Sequence, residues 1–382
     1  MKILQVTAFF SPVLGGSAEA PYQLSRKLAE KGHQVTVYTS DYKLARDHLD
    51  SLPSVKVRPF RTWPSLATLY ITPAIFGKAR EEVRQFDVIH MHNFRTFQNV
   101  AVHHYARKYG IPCVLQAYGS LARVMSKQGI KLLYDKIWGY KLIADASKLL
   151  AMTPTEIEQY GELGAERERI VTVPNCIEIS EYERLPEKGT FREKYGITED
   201  HIVLFLGRID KIKGLDILVR AVAELDKEGT SIRLVIIGPD GGYLSVLKGL
   251  VKELKVEEKV IITGFVPFET KLAAYVDADV YVLPSVYETF PTTVLEASAC
   301  GTPVIVTDRC QIAPLVDNIF GLAVPYDKDR LRDALSQVMA SEEMRTRFGE
   351  TGRALVREKY TWSRIAEQIE EVYVEVVTGD YE

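Results

Sequence analysis

Residues 201–218 read HIVLFLGRIDKIKGLDIL. An apolar run ends at Leu206, a glycine and a basic turn follow, and after Gly214 helical periodicity begins near Leu215. This is the opening of a strand–turn–helix unit, and it stands past the midpoint of a 382-residue chain. Upstream, KILQVTAFF, HQVTVYTS, VKVRPF, DVIHMHN, PCVLQAY, KLLAMTP and RIVTVPN read as strands. Helical segments such as APYQLSRKLAEKG and FQNVAVHHYARKYG lie between them, each with glycine at its stop. Downstream, IRLVIIGPDG, KVIITGFVP, VYVLPS, TPVIVTD and GLAVPY repeat the alternation. Strand–helix–strand repeats require parallel pairing, so the restart at 201 predicts an α/β fold of two doubly wound domains.

A chain of this length suits two cores of about 150 to 200 residues each, with a cleft between them. Turn formers and charges in VPNCIEISEYERLPEKGTFREKYGI place the boundary there. Domains are expected over 1–178 and 179–360, with 361–382 as one more amphipathic helix that no strand follows. Hydrophobic content of 46% and charged content of 26% exclude a disordered or fibrous chain. No apolar run reaches the roughly 20 residues of a spanning helix, and MKILQVTAFFSP reads as a first strand rather than a leader. The expected location is the cytoplasm. Cys113, Cys176, Cys300 and Cys310 are scattered, which argues against a zinc site or disulfide framework. Charge is uneven: residues 1–180 carry about +7 and the remainder about −10.

Ligands of such folds sit beyond the carboxyl ends of the strands. After the first strand, Gly15 and Gly16 allow close backbone approach before a helix start whose amides suit phosphate. The loop is not GxGxxG, and Tyr38, Thr39 and Ser40 replace the acid of a dinucleotide fingerprint. In the second half Gly207, Arg208, Lys211 and Lys213 form a turn fit for a diphosphate, the arginine as a fork and the lysine as a point charge. A solvated basic turn is the alternative. The stretch PSVYETFPTTVLEASACGTPVIVTD, residues 284–308, then places Glu288 in a loop and Glu296 on a small-residue helix. A carboxylate facing inward among Leu295, Ala297 and Ala299 needs donors, which a ribose diol supplies. Glu288, beside the amides of Thr289 and Phe290, suits sugar hydroxyls.

Together these motifs, with IIGPDG, TGFVP and Trp362 in the last helix, resemble the retaining glycosyltransferases of family 4 over essentially the whole chain. The resemblance implies the GT-B fold, two facing Rossmann-like domains with the terminal helix crossing back to the first. It implies Arg208 and Lys213 on the donor diphosphate, Glu296 on the ribose, and Glu288 with Thr289 and Phe290 on the donor sugar. Gly16 would let its loop close on the pyrophosphate, and the main chain at Phe265 and Val266 would meet the base. The substrates implied are a nucleotide-diphosphate sugar, UDP- or GDP-linked, and a glycan, lipid-linked or small-molecule acceptor. Neither metal, other cofactor nor nucleic acid is expected.

Three departures from that pattern stand out. Tyr118 occupies the position where many relatives carry histidine; with an unperturbed pKa near 10 it is a poor base, so a sugar-positioning role is expected. Pro291 replaces a glycine and removes an amide donor. Asn175 and Cys176 replace the common Asn-Gly. His90 and His92 share one strand face without a visible third metal ligand, so satisfied core or acceptor-cleft histidines are expected, with His92 and Asn93 as acceptor-side candidates. Two stretches of the basic half could meet an anionic membrane: one with Trp63, Leu66, Leu69, Tyr70, Ile75 and Phe76, the other with Arg123, Lys127, Lys131, Lys136 and Lys141 among Leu132, Tyr134, Trp138 and Tyr140. Ordinary helices packed on a sheet read the same way. A nucleotide-sugar epimerase on the same fold and a non-catalytic sugar-binding protein are the alternatives to transfer. Oligomeric state is not encoded in any pattern found.

Overall fold

A computed structural model describes residues 1–11, 16–44, 49–63, 70–122 and 128–379. The chain forms two compact units, Met1–Asn175 joined by the chain from Trp362 onward, and Cys176–Thr361. In the first unit the strands are β1 (Lys2–Val6), β2 (Gln34–Ser40), β3 (Val55–Phe60), β4 (Val88–His92), β5 (Cys113–Gln116), β6 (Lys148–Ala151) and β7 (Ile170–Thr172). They pair in parallel in the order β3-β2-β1-β4-β5-β6-β7. In the second unit β8 (His201–Leu206), β9 (Ile232–Ile237), β10 (Val260–Gly264), β11 (Val280–Leu283), β12 (Val304–Thr307) and β13 (Gly321–Val324) pair in parallel in the order β10-β9-β8-β11-β12-β13.

Helices cover the sheets, so central strands bury both faces: β4, β5, β6, β11 and β12 are buried along their whole length. The helix Leu215–Lys227 shows the complementary pattern, burying Leu215, Leu218, Val219, Val222 and Leu225 at helical spacing. The closing helix Trp362–Thr378 belongs to the first unit. It buries Trp362, Ile365, Ile369, Val372, Tyr373 and Val376, while Glu370 meets Lys31 at 2.9 Å and Glu375 meets Lys148 at 2.6 Å. All four cysteines are buried free thiols.

Strand order reverses between β1 and β4 in one unit and between β8 and β11 in the other. A crevice opens at such a switch point because successive crossovers leave it in opposite directions. The two places to search are therefore the carboxyl ends of β1 and β4 and those of β8 and β11.

Candidate active site

At the second unit's switch point β8 runs into Gly207 and Arg208, and β11 runs into Pro284 and Ser285. The two loops are stitched together. The Val286 amide donates to the Ile212 carbonyl at 2.8 Å, and Gly214 lies so close that a Cβ on it would stand 2.0 Å from the Pro284 carbonyl oxygen. Gly214 also adopts φ +63°, a conformation that side chains disfavour. Asp210 caps the short turn Lys211–Lys213 by accepting from the Ile212 amide at 3.2 Å. This capped turn delivers Lys213 to Glu288, and its ammonium binds the Glu288 carboxylate directly. Ser285 donates to the same oxygen at 3.2 Å. The Glu288 backbone is held in turn by the loop after β12, where the Gln311 amide donates to its carbonyl at 2.8 Å. Arg208 is 62% exposed, with its guanidinium 3.6 Å from Asp210. One cation is thus anchored and one is open to solvent.

Glu296 lies on the helix Thr292–Ala299 among buried Leu295, Ala297 and Ala299, and its own side chain is 14% exposed. Its carboxylate accepts from Lys271 at 3.1 Å and from the Tyr275 hydroxyl at 3.0 Å. The donor that a largely buried carboxylate needs is thus supplied by the protein itself, from wholly buried Tyr275 with the Lys271 ammonium beside it. Burial raises the Tyr275 hydroxyl well above its usual pKa, so it stays a donor. Thr289 is half-buried, whereas the Phe290 ring packs against Tyr360 at 5.7 Å. Phe265 is 83% exposed beside buried Val266 at the end of β10.

At the first unit's switch point the expected residues come together differently. Asn93 and Tyr118, just past β4 and β5, both take left-handed backbone conformations, φ +62° and +50°. Neither is glycine, and such strain collects where geometry is needed for function. His92 is wholly buried: its Nε2–H donates to Gln5 Oε1, and its Nδ1 lies 3.1 Å from the Tyr118 hydroxyl, which donates to it. Gln5 donates to Tyr373 at 3.2 Å, and Tyr373 donates to His90 Nδ1 at 2.6 Å. The rings of His90 and His92 stack at 4.1 Å. As an acceptor-side residue His92 is therefore corrected: with no exposed surface, it can only orient Tyr118. Gly16 opens the helix Gly16–Glu30, while Gly15 lies outside the described residues.

With both sites in view, comparison with known proteins becomes informative. Residues 14–181 match the family described as Glycosyltransferase Family 4, and residues 187–355 match Glycosyl transferases group 1. The chain belongs to this glycosyltransferase family. Among curated relatives, an uncharacterized glycosyltransferase of Methanocaldococcus jannaschii is 29% identical across 98% of both chains. The D-inositol 3-phosphate glycosyltransferase of Nocardia farcinica is also 29% identical, across 91% of this chain and 82% of its own. Among solved structures, Anabaena HepE in complex with UDP has a TM-score of 0.84 at 19% identity, covering 98% of this chain and all of that one. Sucrose-phosphate synthase from Thermosynechococcus elongatus has a TM-score of 0.78 at 21% identity, covering 99% of this chain and all of that one. These structural likenesses establish the GT-B fold.

Residues that sequence reasoning missed do much of the positioning in this glycosyltransferase. Glu156, wholly buried, accepts from the amides of Gly119 and Met152, each at 2.7 Å, and so pins the Tyr118 loop to the start of the helix Pro154–Glu162. The pattern Thr153-x-x-Glu156 has capping-box spacing and could have signalled it. Thr153 does cap that helix, accepting from the Glu156 amide at 3.2 Å, but the glutamate reaches outside the box. Lys271, Tyr275, Gln5 and Tyr373 carried no comparable signal.

The stacked histidines give the first unit a pH-dependent stability. Burial pushes His90 down to about pKa 3 and His92 down as well, His90 adding to the latter shift. Below the usual histidine pKa of about 6.5 the unfolded chain binds protons that the folded one refuses. Stability therefore falls as pH drops through that value and keeps falling toward the folded pKa. By about pH 4.5 His90 costs about 2–3 kcal/mol, and His92 acts in the same direction. Urea unfolding at neutral pH and near pH 4.5 should show this loss, and His90→Gln should flatten the dependence; an unaltered slope would rule the histidine out as its source.

Proposed function

We propose that this enzyme transfers a sugar, with retention, from a nucleotide diphosphate to an acceptor hydroxyl, and that it needs no metal ion. The observation that carries the reading is the pairing of Lys213 with Glu288, beside solvent-exposed Arg208, at the switch point of the second unit. An anchored lysine and an accessible arginine stabilise a diphosphate most as it departs, when its charge is largest. In that step the acceptor oxygen bonds to the anomeric carbon on the face that the diphosphate leaves. The sugar–phosphate bond breaks with its electron pair on the nucleotide, and the departing phosphate takes the acceptor proton.

Glu288, already oriented by Lys213 and Ser285, would accept from donor-sugar hydroxyls, and Glu296 from the ribose diol. Exposed Phe265 offers a ring and adjacent main chain to the base. Tyr118 would meet the donor sugar, held in place by His92 and by the Glu156-bound loop. The donor is UDP- or GDP-linked, and the likeness to HepE, solved with UDP and with UDP-glucose, favours the uridine form. The acceptor is a glycan, a lipid-linked sugar or a small polyol, the last in line with the inositol phosphate named for the Nocardia relative.

Thermal unfolding with UDP-, GDP-, ADP- and TDP-sugars in EDTA tests this. One nucleotide should stabilise the protein by about 2.7 kcal/mol at a hundred times its dissociation constant. Glu296→Ala should abolish the shift, and Tyr118→Phe should retain binding but slow transfer. If no donor shifts the transition in EDTA and added magnesium restores a shift, the metal-independent reading fails. If Glu296→Ala shifts as the parent does, the ribose assignment fails.

A further inference from the structure

We propose that residues 128–145 form a docking face for an anionic lipid surface. Three short pieces make up this segment: the helix Gln128–Tyr134, a widened π-helical turn Asp135–Gly139, and the helix Tyr140–Asp145. Its inward side is set by polar and steric demands. Asp135 is wholly buried and takes two bonds from Arg95, each 2.8 Å. Gly139 sits against Phe94, where a Cβ would stand 2.9 Å from the ring. Tyr134, Leu142 and Ile143 complete the buried side.

What remains faces solvent, and it is apolar: Ile130 is 48% exposed, Leu133 58%, Ile137 51% and Trp138 43%. Four large apolar side chains so exposed within nine positions exceed the scattered singles of an ordinary surface. The first candidate stretch contrasts with this one. Tyr70 packs on Phe9 at 4.7 Å, Ile75 is buried and Phe76 meets Phe97 at 5.7 Å; only Trp63 is well exposed, while Leu66 and Leu69 lie outside the described residues. Apart from Trp63, the described part of that stretch packs inward, whereas the second leaves a run of apolar side chains exposed.

Charge identifies the occupant. Exposed Lys136 and Lys141 flank the apolar residues, and exposed His104, Arg107 and Lys108 come from the helix Phe97–Tyr109. Of these, His104, Arg107, Lys108 and Lys141 line, together with Ile137 and Trp138, a pocket of about 630 Å³ whose described lining includes no carboxylate; Lys136 lies outside it on the same segment. The nearby acids are already engaged: Asp135 by Arg95, and Asp145 by His103 at 3.0 Å and Arg107 at 3.6 Å. Apolar residues with a tryptophan, ringed by lysines whose stems can lie along them, suit the boundary between headgroups and acyl chains. A second copy of this chain would bring like charges together, which disfavours self-association. Arg123 and Lys127, also expected here, lie outside the described residues.

The test is flotation of the full chain with vesicles of equal parts phosphatidylglycerol and phosphatidylcholine, against phosphatidylcholine alone. Binding should require the anionic lipid and weaken in roughly 0.5 M salt, where screening shortens the field to a few ångströms. Each lysine near such a surface is worth about fivefold, so Lys136→Glu with Lys141→Glu should reduce partitioning roughly twentyfold or more. Leu133→Glu with Ile137→Glu should abolish it, and unchanged thermal unfolding of both variants shows that they fold. Absence of binding to anionic vesicles, or binding that both variants retain, overturns the proposal. So does a wild-type dimer that Leu133→Glu with Ile137→Glu dissociates, since the face would then belong to a second copy.

Discussion

Lys213→Ala is expected to lower turnover by about 10²- to 10³-fold. The kinetic effect is large because the side chain has two charges to manage. On the proposed reading it would supply a cation for the leaving diphosphate, and it neutralises Glu288, whose carboxylate it contacts directly. Without it, Glu288 presents an unmatched negative charge beside a departing anion. Stability should fall as well, because the pair is largely buried, at 19% and 18% side-chain exposure, and the substitution leaves the Glu288 carboxylate uncompensated. Glu288→Gln in the same assay separates the two roles: it keeps the cation and a hydrogen-bonding group, so it should cost less than Lys213→Ala. Steady-state rates with the donor identified by thermal shift decide the matter. A Lys213→Ala enzyme within threefold of the parent would mean that the turn does not bear on the leaving group.

Gly214→Ala is expected to cost about 3 kcal/mol or more of stability, and activity with it. Two penalties act at once. The residue sits at φ +63°, and a Cβ there would lie 2.0 Å from the Pro284 carbonyl oxygen and 3.0 Å from the Tyr326 ring. Backbone on the opposing side cannot give way as a flexible side chain would. Relief comes only by parting the Lys213 turn from the strand end that carries Ser285 and Glu288, which separates the groups the chemistry needs. Differential scanning calorimetry and kcat on the same sample should fall together. Full activity at a lowered melting temperature would show that the two loops move as one body and that their close contact serves stability alone.

The glycine's importance was invisible before the fold was known. In the sequence it closes a basic turn, as many glycines do; only the neighbouring carbonyl explains why no other residue fits. Gly238 is the parallel case: a Cβ on it would stand 1.9 Å from the Gly207 carbonyl oxygen, which keeps the ends of β8 and β9 in close register.

Other features were legible from local chemistry. The alternation of short apolar runs with amphipathic segments specified both parallel sheets, because buried strands and sheet-covering helices impose different periods on the same chain. The restart at residue 201 specified that there are two of them. Switch-point logic then directed attention to Gly207, Arg208, Lys213 and Glu288; of these, Lys213 and Glu288 meet directly, and Arg208 lies beside Asp210 on the same turn.

Partnership between distant residues was decided by tertiary structure. Glu296 could be read as an inward carboxylate in need of a donor, but that Lys271 and Tyr275 of the helix Phe268–Asp277 are what meet it depends on how two helices pack. His92 passed for a substrate-facing group until the fold buried it between Gln5 and Tyr118. The apolar residues near 70 and near 137 have the same composition on paper, but Arg95 draws Asp135 inward and turns Ile137 and Trp138 out. Periodicity is written in the chain itself, since it depends on neighbours a few residues apart. Which side chain meets which across dozens or hundreds of residues depends on sheet order and helix rotation, and those exist only once the chain has packed.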